Sequence, residues 1–417
     1  MTNGKIQTVA ILGGGPAAST LATLLVRQGV RAAIYHVPKP VPLAVGESLV
    51  PAIIPMLRQL GVEDEVKSFS TLKPGATFNI RENENYSFWF ERLIECTGYA
   101  YNVPRNQFDA ALLNNAKRSG ATIIEAPAKI ERIAGTDKVK LSDETLAAAG
   151  DFFNGKQPDL IVDATGRLRM LPNLMGIAGI EGGRRDMALH AHVDTADLNH
   201  PGHVHSTRLD HGWSWRIPLP GRVSIGLVIP QEHLMKFGAT KEERYDNALK
   251  QDSVLSKVTK QSKRITPVVE YANYQLVSER MVGDGWALVG DTAGFIDPVF
   301  SSGLLIGMTG GVLLAETIAK GGTPEQLREY EAQVKHHLTT WHEIVGHFYD
   351  GRLFTFFRAG EALRENWLMK LFRPHVEKHM GRIFTGAASS APYSMKLLRF
   401  GMKYALRGED PNDVSIR

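Results

Sequence analysis

The chain has 417 residues, 43% of them hydrophobic and 22% charged, which is enough to bury the cores of two domains and an extension. The net charge of +4 comes without any nucleic-acid-binding motif, which argues against a nucleic-acid partner. Its single cysteine, Cys96, excludes an intramolecular disulfide and a thiolate metal cage. The first residues show no signal-peptide pattern, so we expect a cytoplasmic protein.

The N-terminal residues have the pattern of a dinucleotide-binding βαβ unit, with a predicted strand, helix and strand at Gln7–Leu12, Ala17–Gln28 and Arg31–Val37. Gly13, Gly15 and Ala18 form G-x-G-x-x-A between the first strand and the helix. The glycines permit a tight turn and close approach of a pyrophosphate to the helix N-terminus, and the small third residue permits helix–strand packing. His36 stands where an acidic ribose ligand is expected, so the chain lacks the carboxylate that would bind the adenosine ribose there.

The next elements along the chain indicate an antiparallel sheet inserted into the first domain. A helix at Pro51–Leu60 precedes strands within Phe78–Val103, and a helix at Gln107–Arg118 precedes strands at Thr122–Glu125 and Leu160–Ala164. A period of two predicts a meander at His203–Leu209, Trp213–Ile217 and Val223–Ile229. After a buried strand at Trp286–Val289, helices dominate.

One of these late helices is strongly apolar. We interpret Leu304–Ile318 as a buried helix, too short and glycine-interrupted to be a transmembrane segment.

Two later turns narrow the type of nucleotide. Asp163–Gly166 reads D-A-T-G after a strand, and Gly290–Pro298 reads G-D-T-A-G-F-I-D-P after another. With these motifs the chain resembles the flavoprotein monooxygenase superfamily, which implies FAD. The resemblance implies that Asp291 binds the ribityl chain, that Pro298–Gly303 passes beside the isoalloxazine ring, and that Arg105 reaches the cofactor. The alternatives are a helix N-cap for Asp291 and a local ion pair with Asp109 for Arg105.

Within that superfamily the chain resembles the flavin-dependent halogenases, of the shorter, non-tryptophan type. Gly212–Pro218 reads G-W-S-W-R-I-P and matches their W-x-W-x-I-P motif, and Gly46–Pro51 and Lys73–Phe78 match two further segments. The resemblance implies a cofactor site built from Gly13, Gly15, Pro16, Ala17, Ala18, Glu47, Ser48, Arg105, Asp291, Gly294, Pro298 and Leu304.

The resemblance also implies a mechanism. Reduced flavin and molecular oxygen form a flavin hydroperoxide, and a halide attacks it to give hypohalous acid. Lys73, the family's catalytic residue, would orient this oxidant or trap it as a haloamine, and desolvation in an apolar tunnel would lower the lysine pKa. Trp213 and Trp215, two apart on a strand, would separate flavin from substrate. The alternatives are a surface lysine beside a turn and a packed aromatic pair.

The halide and the substrate are inferred from the same family. Backbone N–H groups of Ser302 and Gly303, where a helix begins, would hold chloride. Tryptophan halogenases place a glutamate where this chain has Phe300, so free tryptophan is not the expected substrate. The nearer resemblance is to enzymes acting on electron-rich aromatic groups, phenolic or pyrrolic, often tethered to an acyl or peptidyl carrier protein. Since only one dinucleotide motif exists, a separate flavin reductase would supply reduced flavin.

Two clusters carry weaker signals. Between Asn366 and Gly408 the sequence has Glu377 as its one acidic residue and eight basic ones, which predict a solvated helical face or a docking surface for an acidic partner: Lys370, Arg373, Lys378, Arg382, Lys396, Arg399, Lys403 and Arg407. Six histidines crowd one region, namely His190, His192, His200, His203, His205 and His211. Without acidic or cysteine neighbours they predict exposed sheet histidines and no metal site.

The sequence therefore predicts an α/β protein: an FAD-binding doubly wound βαβ domain, an antiparallel-sheet substrate domain and a helical C-terminal cap. The predicted FAD domain takes residues 1–77, 104–181 and 275–335, the substrate domain 78–103 and 182–274, and the cap 336–417. Three other functions share this scaffold: an aromatic hydroxylase or peptide-modifying monooxygenase, a flavin reductase of lipid double bonds, and a non-catalytic flavin-binding partner protein.

Overall fold

The computed structural model describes residues 5–38, 43–93, 97–362, 375, 378–379, 381–404 and 410–417. Its strands, in chain order, are β1 (Thr8–Leu12), β2 (Arg31–Tyr35), β3 (Thr71–Lys73), β4 (Gly75–Arg81), β5 (Glu84–Trp89), β6 (Ala100–Asn102), β7 (Thr122–Ile124), β8 (Ile130–Arg132), β9 (Val139–Leu141), β10 (Leu160–Asp163), β11 (Gly179–Val193), β12 (Val204–Leu209), β13 (Gly212–Leu219), β14 (Arg222–Pro230), β15 (Val269–Ser278), β16 (Val282–Gly283), β17 (Trp286–Leu288) and β18 (Gly294–Phe295).

Its α-helices are α1 (Pro16–Arg27), α2 (Ile54–Leu60), α3 (Glu63–Ser68), α4 (Arg105–Arg118), α5 (Asp143–Ala148), α6 (Met170–Met175), α7 (Gln231–Leu234), α8 (Lys241–Gln251), α9 (Ser253–Val258), α10 (Ser302–Ala319), α11 (Pro324–Tyr349), α12 (Arg352–Ala362) and α13 (Pro392–Tyr404). Cys96 and three of the basic residues, Lys370, Arg373 and Arg407, lie outside the described residues.

A mostly parallel sheet forms the first layer, in the strand order β16-β17-β10-β1-β2-β7. Its central strands are short runs of apolar residues that are buried on both faces, as parallel strands covered by helices must be. Leu12 at the end of β1 lies in register with Tyr35 of β2 and Asp163 of β10. The carboxyl ends of the three strands therefore meet at one edge, where open α/β sheets bind their ligands.

The second sheet has eight strands in the order β18-β15-β11-β14-β13-β12-β4-β5, and includes the predicted meander. Because side chains alternate along each strand, this sheet has two buried faces with different partners. One face looks toward the first domain, and the other packs under α8 and α9 in a separate apolar cluster that includes Ile225, Leu227 and Tyr245. The α/β architecture with an antiparallel sheet and late helices is confirmed, while the domain boundaries stay a prediction.

Helix α10, late in the chain, packs directly against α1 near its beginning. By length and apolar composition it could cross a membrane, but Leu314, Ala315 and Ile318 are fully buried in the protein core. A Cβ at Gly311 would lie 2.8 Å from the Ala17 carbonyl oxygen, so α10 and α1 contact through their backbones. The interpretation of this segment as a buried helix agrees with the structure.

The last described residues return to the antiparallel sheet. Asp413 accepts hydrogen bonds from Arg81 of β4 and Arg358 of α12. Arg208 of β12 donates to the carbonyl oxygens of Val414 and Ser415 at 2.9 Å each. The C-terminal residues therefore fasten the helical cap to the sheet that it covers.

We predict that Gly311→Ala destabilises the protein, because the added methyl group meets backbone atoms of α1 that have no room to move. The expected loss is about 1–3 kcal/mol of unfolding free energy, as for other overpacked cores. Gly346→Ala in α11 is the matched control, since a Cβ there meets nothing within 4 Å and a helical alanine should stabilise by about 0.5–1 kcal/mol. Denaturant unfolding that finds both variants equally stable would contradict this packing.

Candidate active site

A cavity of about 1340 Å³ lies between the carboxyl edge of the parallel sheet and one face of the antiparallel sheet. The residues predicted for the site that line this cavity are Gly13, Gly15, Pro16, Ala17, Ala18, Glu47, Ser48, Arg105, Trp213, Trp215, Asp291, Pro298, Gly303 and Leu304. Lys73, Gly294 and Ser302 are not on its lining, and a Cβ at Gly294 would point at Leu338.

The glycine turn has the geometry that a dinucleotide requires. Gly13 has a φ of +104°, and a Cβ there would lie 2.5 Å from the Ala164 carbonyl oxygen. Gly15 is the N-cap of α1 without a side-chain cap, and a Cβ there would meet nothing within 4 Å. The first turn of α1 therefore has free N–H groups beside open space, which fits the pyrophosphate of FAD. His36 packs on Gly14 and also lines the cavity.

Arg105 forms the local ion pair with Asp109 that its sequence context allows, and it also borders the cavity. Its guanidinium makes a bidentate pair with Asp109 at 2.9 and 3.0 Å and donates to the Val45 carbonyl oxygen, while also lining the cavity. Burial raises the pKa of Asp291, and the nearby Arg105 and Arg167 oppose that shift. A half-buried carboxylate facing two cations can accept hydrogen bonds from a polyhydroxyl chain.

Lys73 is buried at the end of β3, with only 3% of its surface exposed. Its Nζ donates to Ser48 Oγ and to the Leu49 carbonyl oxygen, both at 2.8 Å, and lies 5.5 Å from the centre of the Phe90 ring. Within the described chain no carboxylate pairs with it, and desolvation lowers its pKa to about 7. Because Ser48 lines the cavity, one hydroxyl separates the lysine from that space.

Glu47, the residue before Ser48, is held by a hydrogen-bonded chain that the sequence did not reveal. His192 Nε2 lies 2.9 Å from Glu47 Oε1, and Arg222 Nε donates to His192 Nδ1 at 3.0 Å. Since an arginine can only donate, Nδ1 is the acceptor and the His192 proton lies on Nε2, directed at Glu47. All three side chains line the cavity. The Arg222 guanidinium orients the His192 imidazole, and the imidazole in turn holds the Glu47 carboxylate.

The prediction of exposed sheet histidines is wrong for the four histidines at the heart of the cluster, His190, His192, His203 and His205, which are buried. Burial lowers the pKa of His190 and His203 to about 4 and that of His205 to about 3, so these rings are neutral at pH 7. The sequence did not reveal this because both faces of the sheet are covered, one by the first domain and the other by α8 and α9. Within the described residues no group of three or more metal-ligating side chains forms.

The two tryptophans of β13 point to the same face, as their spacing predicts. Both are buried in the cavity wall with ring centres 5.7 Å apart, and Trp215 lies across Gly226 of β14, where a side chain would overlap the ring. Trp215 Nε1 donates to Ser224 Oγ at 3.2 Å. Trp213 Nε1 donates to the hydroxyl of Tyr349 at 3.0 Å, a residue of α11 with no sequence signal.

The Pro298–Gly303 loop connects the cavity to the start of α10. Ser301 has a φ of +56° and precedes Ser302, whose Oγ is buried and has no hydrogen-bond partner among the described residues. Gly303 borders the cavity, so the first turn of α10 presents N–H groups near it. Phe300 is buried against Phe78, Trp341, Phe348 and Phe384, so no carboxylate occupies that position.

Comparison with known proteins identifies this arrangement. The tryptophan halogenase family matches residues 90–359, about two thirds of the chain, and an FAD binding domain family matches residues 6–142. The chain therefore belongs to the family of flavin-dependent halogenases. It is an FAD-dependent enzyme of the oxidoreductase type, in a family that uses reduced FAD, halide and molecular oxygen.

Curated relatives and solved structures agree with that assignment. A 1H-pyrrole-2-carbonyl-[peptidyl-carrier protein] chlorinase of Pseudomonas fluorescens is 25% identical over 82% of this chain and 83% of its own length. A tryptophan 2-halogenase of Chondromyces crocatus is 27% identical over 85% of this chain and 70% of its own length. The chondrochloren halogenase CndH has a TM-score of 0.72 at 26% identity over 83% of each chain. The brominase Bmp2, at 21% identity with a TM-score of 0.78 over 97% of this chain and 100% of its own, shares the fold.

Lys73 should make the stability of the folded protein depend on pH. Its folded pKa of about 7 lies below the ordinary 10.5, so between these values the unfolded chain binds more protons at this site. We expect the unfolding free energy of the wild type to increase relative to Lys73→Met as pH rises from about 7 to about 10. Exposed Lys117→Met is the matched control, and an equal pH trend in both variants would contradict the burial of Lys73.

Two replacements of His192 should distinguish the contribution of its hydrogen bond with Glu47 to stability from the contribution of the ring's volume. We expect His192→Leu to lose about 1–3 kcal/mol of unfolding free energy, because the buried Glu47 carboxylate loses a donor. His192→Gln, whose amide N–H can take the place of Nε2–H, should retain most of that stability. Chemical denaturation measures both, and a leucine variant as stable as the glutamine variant would remove any role for this hydrogen bond.

Proposed function

We propose that this halogenase acts on an electron-rich aromatic group, phenolic or pyrrolic, and that Lys73 delivers hypohalous acid to it. The buried Lys73 amine, one hydroxyl from the cavity, is the observation that carries this proposal. A lysine on the protein surface would let the oxidant escape into water. A lysine enclosed by Ser48, Leu49 and Phe90 can retain it.

The cavity residues fit FAD. The glycine turn and the N-terminus of α1 would hold the pyrophosphate, Asp291 the ribityl hydroxyls, and Arg105 with Glu47 the region beside them. Bound reduced FAD supplies the activation of molecular oxygen that oxidises the halide. Trp213 and Trp215 form part of the wall on the antiparallel-sheet side of this space.

The first turn of α10 is where we place the halide. The backbone N–H groups of Ser302 and Gly303 are at the N-terminus of an 18-residue helix, where the helix dipole favours an anion. The unpartnered Ser302 hydroxyl, buried beside them, is a further donor among the described residues. The proposed halide position is therefore at the start of α10, beside Gly303 on the cavity lining.

A pKa of about 7 leaves both forms of Lys73 available near neutrality. The ammonium can donate a hydrogen bond to the oxygen of hypohalous acid and orient its halogen. The neutral amine can instead react with hypohalous acid to form a haloamine and water, which balances the atoms and leaves an electrophilic halogen on nitrogen. In either case Ser48 Oγ and the Leu49 carbonyl oxygen hold Nζ in place.

Several observations support the substrate class. Phe300 replaces a carboxylate with an apolar ring, and it packs in a cluster of aromatic side chains on the same face of the sheet as the tryptophans. A relative named as a pyrrole-carbonyl carrier-protein chlorinase is similar over most of this chain. We therefore propose a carrier-protein-tethered aromatic acyl group as the natural substrate.

We propose two protein partners and a location. An acidic carrier protein would dock on the exposed face of α13, which carries Lys396, Lys403 and the exposed rings of Tyr393 and Phe400. A separate reductase would supply reduced flavin, because the sequence has a single dinucleotide motif. Both fit an enzyme of the cytoplasm.

The test supplies chemically reduced FAD, oxygen and bromide with a reactive phenol, and detects brominated phenol by mass spectrometry. We expect product from the wild type and from Lys117→Met, and a loss of about a hundredfold or more in Lys73→Met. That variant should still release hypobromite, measured with a soluble scavenger. Hydroxylated phenol formed at a rate independent of bromide would assign the enzyme as an aromatic hydroxylase instead.

The same assay with a pyrrole-carbonyl group tests tethering. We expect halogenation of the group on a carrier protein and little or none of the free acid. Lys396→Glu combined with Lys403→Glu should raise KM for the carrier-bound substrate without changing the rate with a free phenol. Equal KM values for the charge-reversed and wild-type enzymes would exclude α13 as the docking face.

A further inference from the structure

We infer that Tyr349 is a positioning residue that fixes the halide-binding loop against the tryptophan wall, an inference that rests on the proposed function of that loop. Its hydroxyl connects three parts of the protein that are distant in sequence. These are β13 with the tryptophans, the loop that begins at Asp297, and the end of α11 in the helical cap.

The connection is a buried chain of hydrogen bonds. Trp213 Nε1 donates to Tyr349 Oη at 3.0 Å, and Tyr349 Oη donates to Asp297 Oδ2 at 2.9 Å. Asp297 is 1% exposed, and its other carboxylate oxygen accepts from the Val299 backbone N–H at 3.0 Å. One carboxylate therefore binds the cap through one oxygen and its own loop through the other.

The ring of Tyr349 is buried and is also held by a stacked arginine. Arg184 stacks on its ring, with the guanidinium carbon 3.9 Å from the ring centre, and is itself held by Asp186 at 2.8 Å. Burial and the neighbouring Asp297 raise the pKa of Tyr349 well above its ordinary value, so the hydroxyl keeps the proton that it donates. A phenolate could not donate to Asp297, and two adjacent anions would repel.

The position of Asp297 matters because this residue begins the loop that leads into α10. Pro298 and Gly303 line the cavity, and between them Ser301 turns the chain with a positive φ into the first turn of α10. Small movements of Asp297 would shift the N–H groups of that turn relative to the cavity. Tyr349 thus acts through Asp297 on the anion site, without itself lining the cavity.

The matched pair for testing this role is Tyr349→Phe and Tyr330→Phe. Both tyrosines are buried residues of α11, and Tyr330 donates one hydrogen bond, at 2.7 Å, to the Leu288 carbonyl oxygen away from the loop. Each variant removes one buried hydroxyl and should lower the denaturant midpoint, more so in Tyr349→Phe, which breaks two hydrogen bonds where Tyr330→Phe breaks one. A purely structural role for Tyr349 predicts that the two variants behave alike in every other measurement.

The distinguishing measurement is bromide binding to the holoenzyme with oxidised FAD, followed by the absorption spectrum of the flavin. We expect the bromide Kd to rise about three- to tenfold in Tyr349→Phe, the equivalent of one hydrogen bond, and to stay at the wild-type value in Tyr330→Phe. In turnover, the bromide KM should rise more than kcat falls. Trp213→Phe, which keeps a ring but loses the donor, should shift the Kd in the same direction.

Equal bromide Kd values for Tyr349→Phe and Tyr330→Phe would overturn the inference. Because this titration requires no halogenated product, its outcome is separate from that of the proposed function. If the wild type binds bromide but brominates nothing, the proposed function fails, while a selective rise in the Kd of Tyr349→Phe still supports the positioning role.

Discussion

A buried lysine that pairs with no carboxylate in the part of the chain that the structure describes is the constraint on which the rest of this site depends. Among the described residues the Lys73 amine has two neutral oxygen acceptors, one from Ser48 and one from Leu49. Placing a cation in such surroundings costs free energy, so its protonation becomes balanced near neutral pH. The protein must hold those acceptors still, and Glu47, fixed by His192 and Arg222, anchors the same segment from the cavity side.

The antiparallel sheet acts as a partition because its two faces have different chemistry. The face with Trp213 and Trp215 borders the cavity, and the opposite face has a separate apolar core under α8 and α9. Gly226 provides the space that Trp215 occupies. The hydroxyl of Tyr349 joins this sheet to the loop at Asp297 and to the helical cap, through its hydrogen bonds with Trp213 and Asp297.

The fold and much of the candidate site could be predicted from the sequence, because local motifs carried them. The glycine turn, the D-A-T-G turn and the alternation of β13 each obey short-range rules on backbone conformation and side-chain direction. His192 and Tyr349 could not be predicted, because their roles come from tertiary pairing. His192 meets Glu47 across 145 positions, and Tyr349 meets Trp213 across 136.

The parallel sheet is assembled from strands separated by most of the chain. The ribosome synthesises the central strand β1 first. Strands β10 and β17 of the same sheet begin only at residues 160 and 286, and α10, which packs on α1, begins at residue 302. At ~5–20 residues per second, a ribosome needs roughly 15–60 seconds to reach that helix. During this interval the side of α1 that α10 covers has no partner, so apolar surface of the nascent chain stays exposed until Ala319 has emerged.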